Sequence, residues 1–198
     1  MNPFSPTYRR SRTLHRLLTV AATFGAAFSL PARTLIELSD AHASEWRLFV
    51  PSKYADCGAS FQIDSGIALM KSDELARFAL QSSLAAVEPG QPCHYKARIL
   101  ITPQSELERK SPGVVLRLTY YNADKKPLDS EHLHIGIGGE TATVAAIGNL
   151  NRKSWPGGWT DLEGDFEAPA NAHYVQVALF IWTGKGPVAW HAVEVTAQ

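Results

Sequence analysis

The sequence predicts an all-β sandwich, and three observations support this fold class. Apolar and polar residues alternate over many short runs, which is the period-two pattern of half-buried strands. Gly, Pro, Asn and Asp residues interrupt these runs at intervals of about ten residues, as in sandwiches and barrels. No segment after residue 43 requires a helix of usual length, so the strands are expected to pack on one another.

The N-terminal segment has the organisation of an export signal. Residues 1–16 contain four arginines and no acidic residue, and residues 17–30 are apolar. A basic start followed by a short apolar run is typical of a secretory signal peptide. The sequence therefore predicts a periplasmic or secreted protein.

Two cleavage points of this signal are open. One follows Ala32, close to the apolar run, and the other follows Ala43, which has the better small-residue pattern. We favour Ala43, which assigns residues 1–43 to the signal peptide and residues 44–198 to one domain with its own core. The alternative is an uncleaved signal anchor, and only such an anchor would hold the protein at a membrane.

Charge argues against nucleic acid as a partner. Lys plus Arg and Asp plus Glu both number 19, and no stretch after residue 43 is a basic stripe. Proteins that bind nucleic acid usually carry such a stripe or patch. We therefore expect no nucleic-acid partner.

Cys57 and Cys93 are the two cysteines of the chain. An even number of cysteines in an exported protein predicts a disulfide. In the chain-entropy model a loop of this length would stabilise the fold by about 4 kcal/mol. A metal site of two cysteines with histidines is the alternative, although no CxxC spacing supports it.

The first half of the domain contains four predicted strand segments. Residues 44–50 alternate as a strand, and residues 61–71 form a predicted hairpin around Asp64, Ser65 and Gly66, a turn sequence. Residues 74–81 fit a short helix by composition and a strand by position, and we predict a strand. After the Pro-Gly breaker that follows residue 87, residues 93–102 alternate again.

The second half begins with a strand over residues 114–121. Its aliphatic positions alternate with positions that include Arg117 and Tyr121. The strand over residues 174–182 has the same two-sided character, with Gln176 and Trp182 opposite its aliphatic side. Further predicted strand segments are residues 128–136, 162–168 and 188–196, and residues 141–147 form a short apolar run. Trp46 and Trp190 are predicted core residues.

Five segments of the C-terminal half carry a resemblance to a known family: residues 120–128 (YYNADKKPL), 158–160 (GWT), 166–172 (FEAPANA), 174–179 (YVQVAL) and 184–188 (GKGPV). Their order and spacing resemble the jelly-roll carbohydrate-binding modules of families four, nine and twenty-two, in the galactose-binding-domain-like group. The resemblance runs from Gly113 to the end and fits the N-terminal half more loosely. It implies a jelly-roll β-sandwich and a non-catalytic module that binds an oligo- or polysaccharide.

The last strand departs from this family's pattern. Family members commonly hold a structural calcium with the help of two aspartates that follow an aromatic residue there. Here Trp190 is followed by His191 and Ala192, so two of the oxygen ligands that calcium needs are missing. The sequence supports a calcium only weakly, and we expect no cofactor and no metal.

The candidate ligand-binding residues share one predicted sheet face and one loop. Sandwiches bind sugars with flat aromatic rings beside planar polar side chains, which hydrogen-bond the hydroxyl groups. The Gly-Pro loop would add a further ring, and two histidines of one strand would add hydrogen bonds, with a zinc site as their alternative use. The predicted ligand-binding residues are Arg117, Tyr121, His132, His134, Trp155, Gln176 and Trp182.

The sequence shows no arrangement of catalytic residues. Its serines, acids and histidines form neither a nucleophile elbow nor a spaced pair of carboxylates. We therefore expect no enzyme. The alternative to glycan binding is a protein-interaction or structural module of the cell envelope that uses the same sheet face.

Overall fold

A computed structural model of the chain describes residues 32–108, 113–137 and 158–198, and of residues 129–134, 136 and 137 it describes the backbone. The described strands form two antiparallel sheets packed face to face, so the predicted jelly-roll β-sandwich is confirmed. The strands are β1 (Arg33–Glu37), β2 (Arg47–Phe49), β3 (Ser60–Asp64), β4 (Ile67–Lys71), β5 (Ala76–Gln81), β6 (Ala85–Ala86), β7 (Pro92–Ile101), β8 (Glu106–Leu107), β9 (Val114–Tyr121), β10 (Pro127–Ile137), β11 (Thr160–Glu167), β12 (Tyr174–Lys185) and β13 (Val188–Ala197).

The two sheets divide the strands as follows. Sheet A has the order β11-β7-β13-β4-β3, with β1 also paired to β13. Sheet B has the order β10-β9-β12-β5-β2, with β6 and β8 also paired to β12. Two short 3₁₀ helices, Asp40–Glu45 and Ser52–Tyr54, flank β2. Among the described residues, no helix has the length and apolar character that a membrane span requires.

The core lies between the sheets and follows the period-two pattern of the strands. Val114, Leu116 and Leu118 of β9 point inward and are buried, and the aliphatic side of β12 does the same. The predicted assignment of faces in both strands is confirmed. Trp46 and Trp190 are also core residues, as predicted, with 3% and 0% of their surface exposed.

The pairing of strands resolves the segment that fitted both helix and strand. β5 lies between β12 and β2 in sheet B, where Phe78 and Leu80 are completely buried. Backbone pairing on both sides therefore outweighs the helical composition of this segment.

The predicted hairpin between β3 and β4 is also confirmed. Ser65 and Gly66 both have positive φ, as a two-residue type I′ turn requires. The Asp40 carboxylate accepts hydrogen bonds from their two backbone N–H groups at 3.1 Å. The turn is therefore tied to the 3₁₀ helix that follows β1.

The sandwich includes residues that the sequence analysis assigned to the signal peptide. β1 pairs with β13 from Arg33 opposite Ala197 to Glu37 opposite Glu194, and Ile36 is buried in the core. Cleavage after Ala43 would remove this strand, whereas cleavage after Ala32 would keep it. The signal peptide itself stays a prediction, because residues 1–31 lie outside the described residues.

The predicted disulfide is wrong, because Cys57 and Cys93 are free, buried thiols near opposite ends of sheet A. The carbonyl of Cys57 accepts a hydrogen bond from the N–H of Asp73, just past β4, and β4 pairs with the beginning of β13. Cys93 pairs with Ala197 at the other end of β13. This strand spans roughly 30 Å at about 3.3 Å per residue, and a disulfide requires Cα atoms within about 7 Å. The short apolar run over residues 141–147 lies outside the described residues.

Candidate binding face of sheet B

The side of sheet B that points away from the core is the candidate binding face, and we call it the outer face of sheet B. Its side chains stand in rows across the strands, because paired residues of neighbouring strands point the same way. One row contains Phe49, Ala79, Phe180 and Val115. The next row contains Arg47, Gln81, Ala178, Arg117 and the backbone position of His134.

A small apolar cluster occupies the middle of this face. Val115 and Phe180 are buried there together with two alanines, and Trp182 packs against them. The ring centroids of Phe180 and Trp182 lie 5.6 Å apart, with the ring planes inclined at 42°. This geometry lies within the range of favourable aromatic pairs, so the two rings support each other.

Two arginines are stacked on these rings. The guanidinium carbon of Arg77 lies 4.6 Å from the ring centroid of Trp182, and that of Arg117 lies 5.9 Å from the ring centroid of Phe180. Arg77 also donates from Nε to the backbone carbonyl of Trp182 at 3.3 Å. Stacking and hydrogen bonding restrict the Arg77 fork, so it loses less conformational freedom when a ligand binds.

A chain of hydrogen bonds connects the strands beside the cluster. The Tyr121 hydroxyl donates to Oε1 of Gln176 at 2.8 Å, and Nε2 of Gln176 donates to the carbonyl of Ser82 at 2.8 Å. Burial raises the pKa of Tyr121, so its hydroxyl stays protonated at neutral pH and can donate. Each end of the Gln176 amide has one protein partner, which leaves one N–H and one lone pair for a ligand.

The structure places four of the predicted ligand-binding residues on this one face. Arg117 and Tyr121 extend from β9, and Gln176 and Trp182 extend from the adjacent β12. All four are half-buried, so each exposes part of its side chain. The two predicted strands therefore bring together the side chains that the period-two pattern suggested.

The other three predicted residues are described only in part or not at all. The backbone of β10 places His132 opposite Thr119 and His134 opposite Arg117, on the strand next to β9. Their side chains are not among those described, and Trp155 lies outside the described residues. Their roles stay predictions.

Sequence reasoning missed several residues of this face. Phe49 of β2 is 43% exposed, and Arg77 and Gln81 of β5 stand in the neighbouring rows. The available signal was the alternation of Arg77, Ala79 and Gln81, which the helix-like composition of this segment obscured. Only the pairing of β5 with β12 and β2 shows that these side chains share a face with Trp182.

The outward side of sheet A, which we call the outer face of sheet A, has a different chemistry. Its ion pairs join Arg98 to Asp161 at 2.8 Å, His94 to Asp165 at 2.7 Å and Lys96 to Glu194 at 2.9 Å. Trp159 lies on this side, because its ring contacts His191 at 5.8 Å and the Arg98 guanidinium at 5.4 Å between centres. Trp159 is therefore a packing residue of sheet A.

Among the described residues, no three side chains of His, Cys, Asp or Glu gather closely enough to hold a metal ion. The groups that the outer face of sheet B offers to a ligand are rings, guanidinium groups and amides.

No protein-family model matches the sequence, and no curated protein matches it in sequence. Solved structures do resemble the fold. One is the enzymatically active domain of tailspike protein 4 of bacteriophage CBA120, with a TM-score of 0.57 and 11% identity over 83% of this chain. This chain spans 21% of the length of that structure.

Carbohydrate-binding modules also occur among the similar structures. A family 4 module has a TM-score of 0.49 and 11% identity, with 84% of this chain and 95% of the module covered. A Clostridium thermocellum xylanase 10B structure, containing a family 22 module and solved with xylohexaose, has a TM-score of 0.47 and 12% identity. That likeness covers 84% of this chain and 29% of the xylanase structure. At these identities the likenesses concern the fold alone.

Proposed function

We propose that the protein is an exported, non-catalytic module that binds a glycan on the outer face of sheet B. The observation that carries this proposal is the grouping of Trp182, Phe180, Arg77 and Arg117 beside the Tyr121–Gln176 hydrogen bond on one face. Sugar rings present weakly polar C–H faces and many hydroxyl groups. Aromatic rings bind the former, and guanidinium and amide groups bind the latter.

The shape of the face suits an extended chain. Ala79 separates Phe49 from Phe180 in one row, so the two rings stand on strands about 10 Å apart with a small side chain between them. Ala178 likewise separates Gln81 from Arg117 in the next row. A polysaccharide that lies across the strands would therefore fit into the shallow depressions over these two alanines, which rings and polar groups border.

The export part of the proposal fits cleavage after Ala32. The strand β1 fills sheet A beside the last residues of β13, and its loss would expose that edge together with core residues. We propose that the signal ends at Ala32, so that β1 remains in the exported protein.

Affinity electrophoresis against a panel of soluble polysaccharides tests the proposed function. We expect at least one polymer to retard the protein, and Trp182→Ala to be retarded much less than the wild type. The matched control is Trp159→Ala, which removes a half-buried tryptophan from the outer face of sheet A. Retardation by no polymer would contradict glycan binding and favour a protein partner of the cell envelope.

A further inference from the structure

The two outer faces of the sandwich carry different charges, although the whole chain has a formal net charge of zero. The outward positions of β2, β5 and β9 include Arg47, Arg77 and Arg117. In the five strands from β10 to β2, no Asp or Glu occupies a described outward side-chain position. At the margin of the sheet, Glu106 of β8 stands opposite Lys185, and Glu108, which follows β8, donates its backbone N–H to the carbonyl of Thr183.

Acidic residues concentrate on the outer face of sheet A instead. Four of them follow one another at alternate positions of the edge strand β11, namely Asp161, Glu163, Asp165 and Glu167. The side chains of Asp161 and Asp165 are 73% and 76% exposed. Each of the neighbouring bases of β7 is paired with one of these acids or with Glu194. The cations of sheet A are therefore balanced within the protein.

Two arginines of sheet B, Arg47 and Arg77, differ from these paired cations. Arg47 and Arg77 form no ion pair with any carboxylate of the described residues. The Arg77 guanidinium is instead stacked on Trp182 and fixed by a bond to a backbone carbonyl. A planar fork held in this way is suited to charge-assisted, bidentate hydrogen bonds with a carboxylate or sulfate group.

The summed charge of the whole face also favours an anionic ligand. A surface with several cations and few anions attracts a negatively charged ligand and raises its rate of association. The same surface gives no such advantage to a neutral polymer. The charge of the outer face of sheet B therefore discriminates among glycans by their charge.

We propose that the ligand of the outer face of sheet B is an anionic polysaccharide. Its carboxylate or sulfate groups pair with Arg77, while its sugar rings contact Trp182 and Phe49. This inference rests on the proposed function and specifies the class of glycan.

The test compares polymers that differ only in charge. Polygalacturonate and its carboxyl-reduced, neutral counterpart form one pair in affinity electrophoresis, and dextran sulfate and dextran form a second. We expect stronger retardation by the charged member of at least one pair, and added NaCl to weaken that retardation. The pair that responds shows whether carboxylate or sulfate is recognised.

Variants of one arginine show whether the face itself recognises the charge. Removal of one charge-assisted pair worth about 1.5 kcal/mol should lower the association constant about tenfold in Arg77→Gln. Arg77→Lys keeps the charge and should lose less. Lys71→Gln, an exposed outward position of sheet A, changes the net charge equally and should leave binding unchanged.

Each alternative result has a definite meaning. Equal or stronger retardation by the neutral members overturns the anionic ligand and leaves the proposed glycan binding in place. Retardation by no polymer removes both proposals. Equal retardation by single-stranded DNA shows a general polyanion surface, which also overturns an anionic polysaccharide as the specific ligand.

Discussion

The hydroxyl of Tyr121 joins three segments of sheet B, because it bonds to Gln176 of β12, and Gln176 bonds to the carbonyl of Ser82 after β5. Tyr121→Phe removes the donor and leaves the rest of the ring in place. We expect the free energy of unfolding to fall by about 1 kcal/mol in urea titrations. Tyr174→Phe is the control, because that hydroxyl donates no hydrogen bond among the described residues. Equal losses in both variants would contradict the role of Tyr121.

The ion pair between Lys96 and Glu194 makes stability depend on pH. The hydrogen bond from Lys96 lowers the pKa of Glu194 below its ordinary value of 4.5. Because the folded pKa is below the unfolded one, the stabilisation is present above about pH 4.5 and is lost as the pH falls through the folded pKa.

The variant Lys96→Met tests this pH dependence. For an exposed pair we expect it to lower the free energy of unfolding by about 0.5 kcal/mol at pH 7. The difference from the wild type should shrink as Glu194 becomes protonated. Urea titrations at pH 7 and pH 3 measure both values, and a difference that is the same at both would contradict the assignment.

Cys57 and Cys93 should behave as buried free thiols. Desolvation by burial raises the pKa of Cys93, which keeps its thiol protonated and unreactive. We expect a thiol reagent to label neither cysteine in the folded protein and both in denaturant, without prior reduction. An unreduced protein that shows no thiol in denaturant would contradict the structure.

At the scale of elements, β1 is the strand on which the proposed cleavage after Ala32 rests. The strand β1 contributes Ile36 to the core, and Leu38, the first residue after β1, is also buried. Burial of each such side chain is worth about 1.5–3 kcal/mol. A chain that starts at Ser44 should therefore be less stable than one that starts at Arg33 by at least about 3 kcal/mol in urea titrations.

The exported protein itself gives the direct test of the cleavage site. We expect intact-mass measurement of the protein recovered from the cell envelope or medium to show Arg33 as the first residue. A mature chain that begins at Ser44 would contradict this assignment.

The turn between β12 and β13 has no space for a side chain at Gly186. A Cβ atom there would overlap the carbonyl oxygen of Met70 and lie 2.7 Å from the Cα atom of Lys71, both of which are backbone atoms of β4. We expect Gly186→Ala to cost about 1–3 kcal/mol of unfolding free energy in urea titrations. Gly158→Ala is the matched control, since apart from its chain neighbours no atom of the described residues lies within 4 Å of its added Cβ, and equal losses would contradict this explanation.

The elements also show what sequence could and could not predict. The faces of β9 and β12 follow from alternation, because neighbouring residues of a strand point to opposite sides. Placing Phe49 and Arg77 requires the order of strands in sheet B, which alternation does not contain. The disulfide prediction failed for a related reason, since an even number of cysteines does not indicate where each one lies along a sheet.

The sequence analysis missed the N-terminal strand β1 because this strand lies just after the apolar run of the predicted signal peptide. Residues 33–37 follow the apolar run closely, and Ala43 offered the better cleavage pattern. The pairing of this segment with β13 is a contact between the two ends of the domain. Local sequence carries no information about such a contact.

At the scale of the whole molecule, the two outer faces of the sandwich differ in their side-chain chemistry. The outer face of sheet A balances its charges internally through ion pairs between β7, β11 and β13. The outer face of sheet B has stacked arginines and aromatic rings without described acids on its five strands. The zero net charge of the chain conceals this division, which only the fold shows.

The most direct test of glycan binding compares Trp182→Ala with Trp159→Ala by isothermal titration, using the polysaccharide that retards the wild type most strongly. Loss of one stacked ring contact worth about 1.5 kcal/mol should lower the association constant of Trp182→Ala roughly tenfold. Trp159→Ala should bind as the wild type does. Unchanged binding by Trp182→Ala, or a loss confined to Trp159→Ala, would contradict a binding site on the outer face of sheet B.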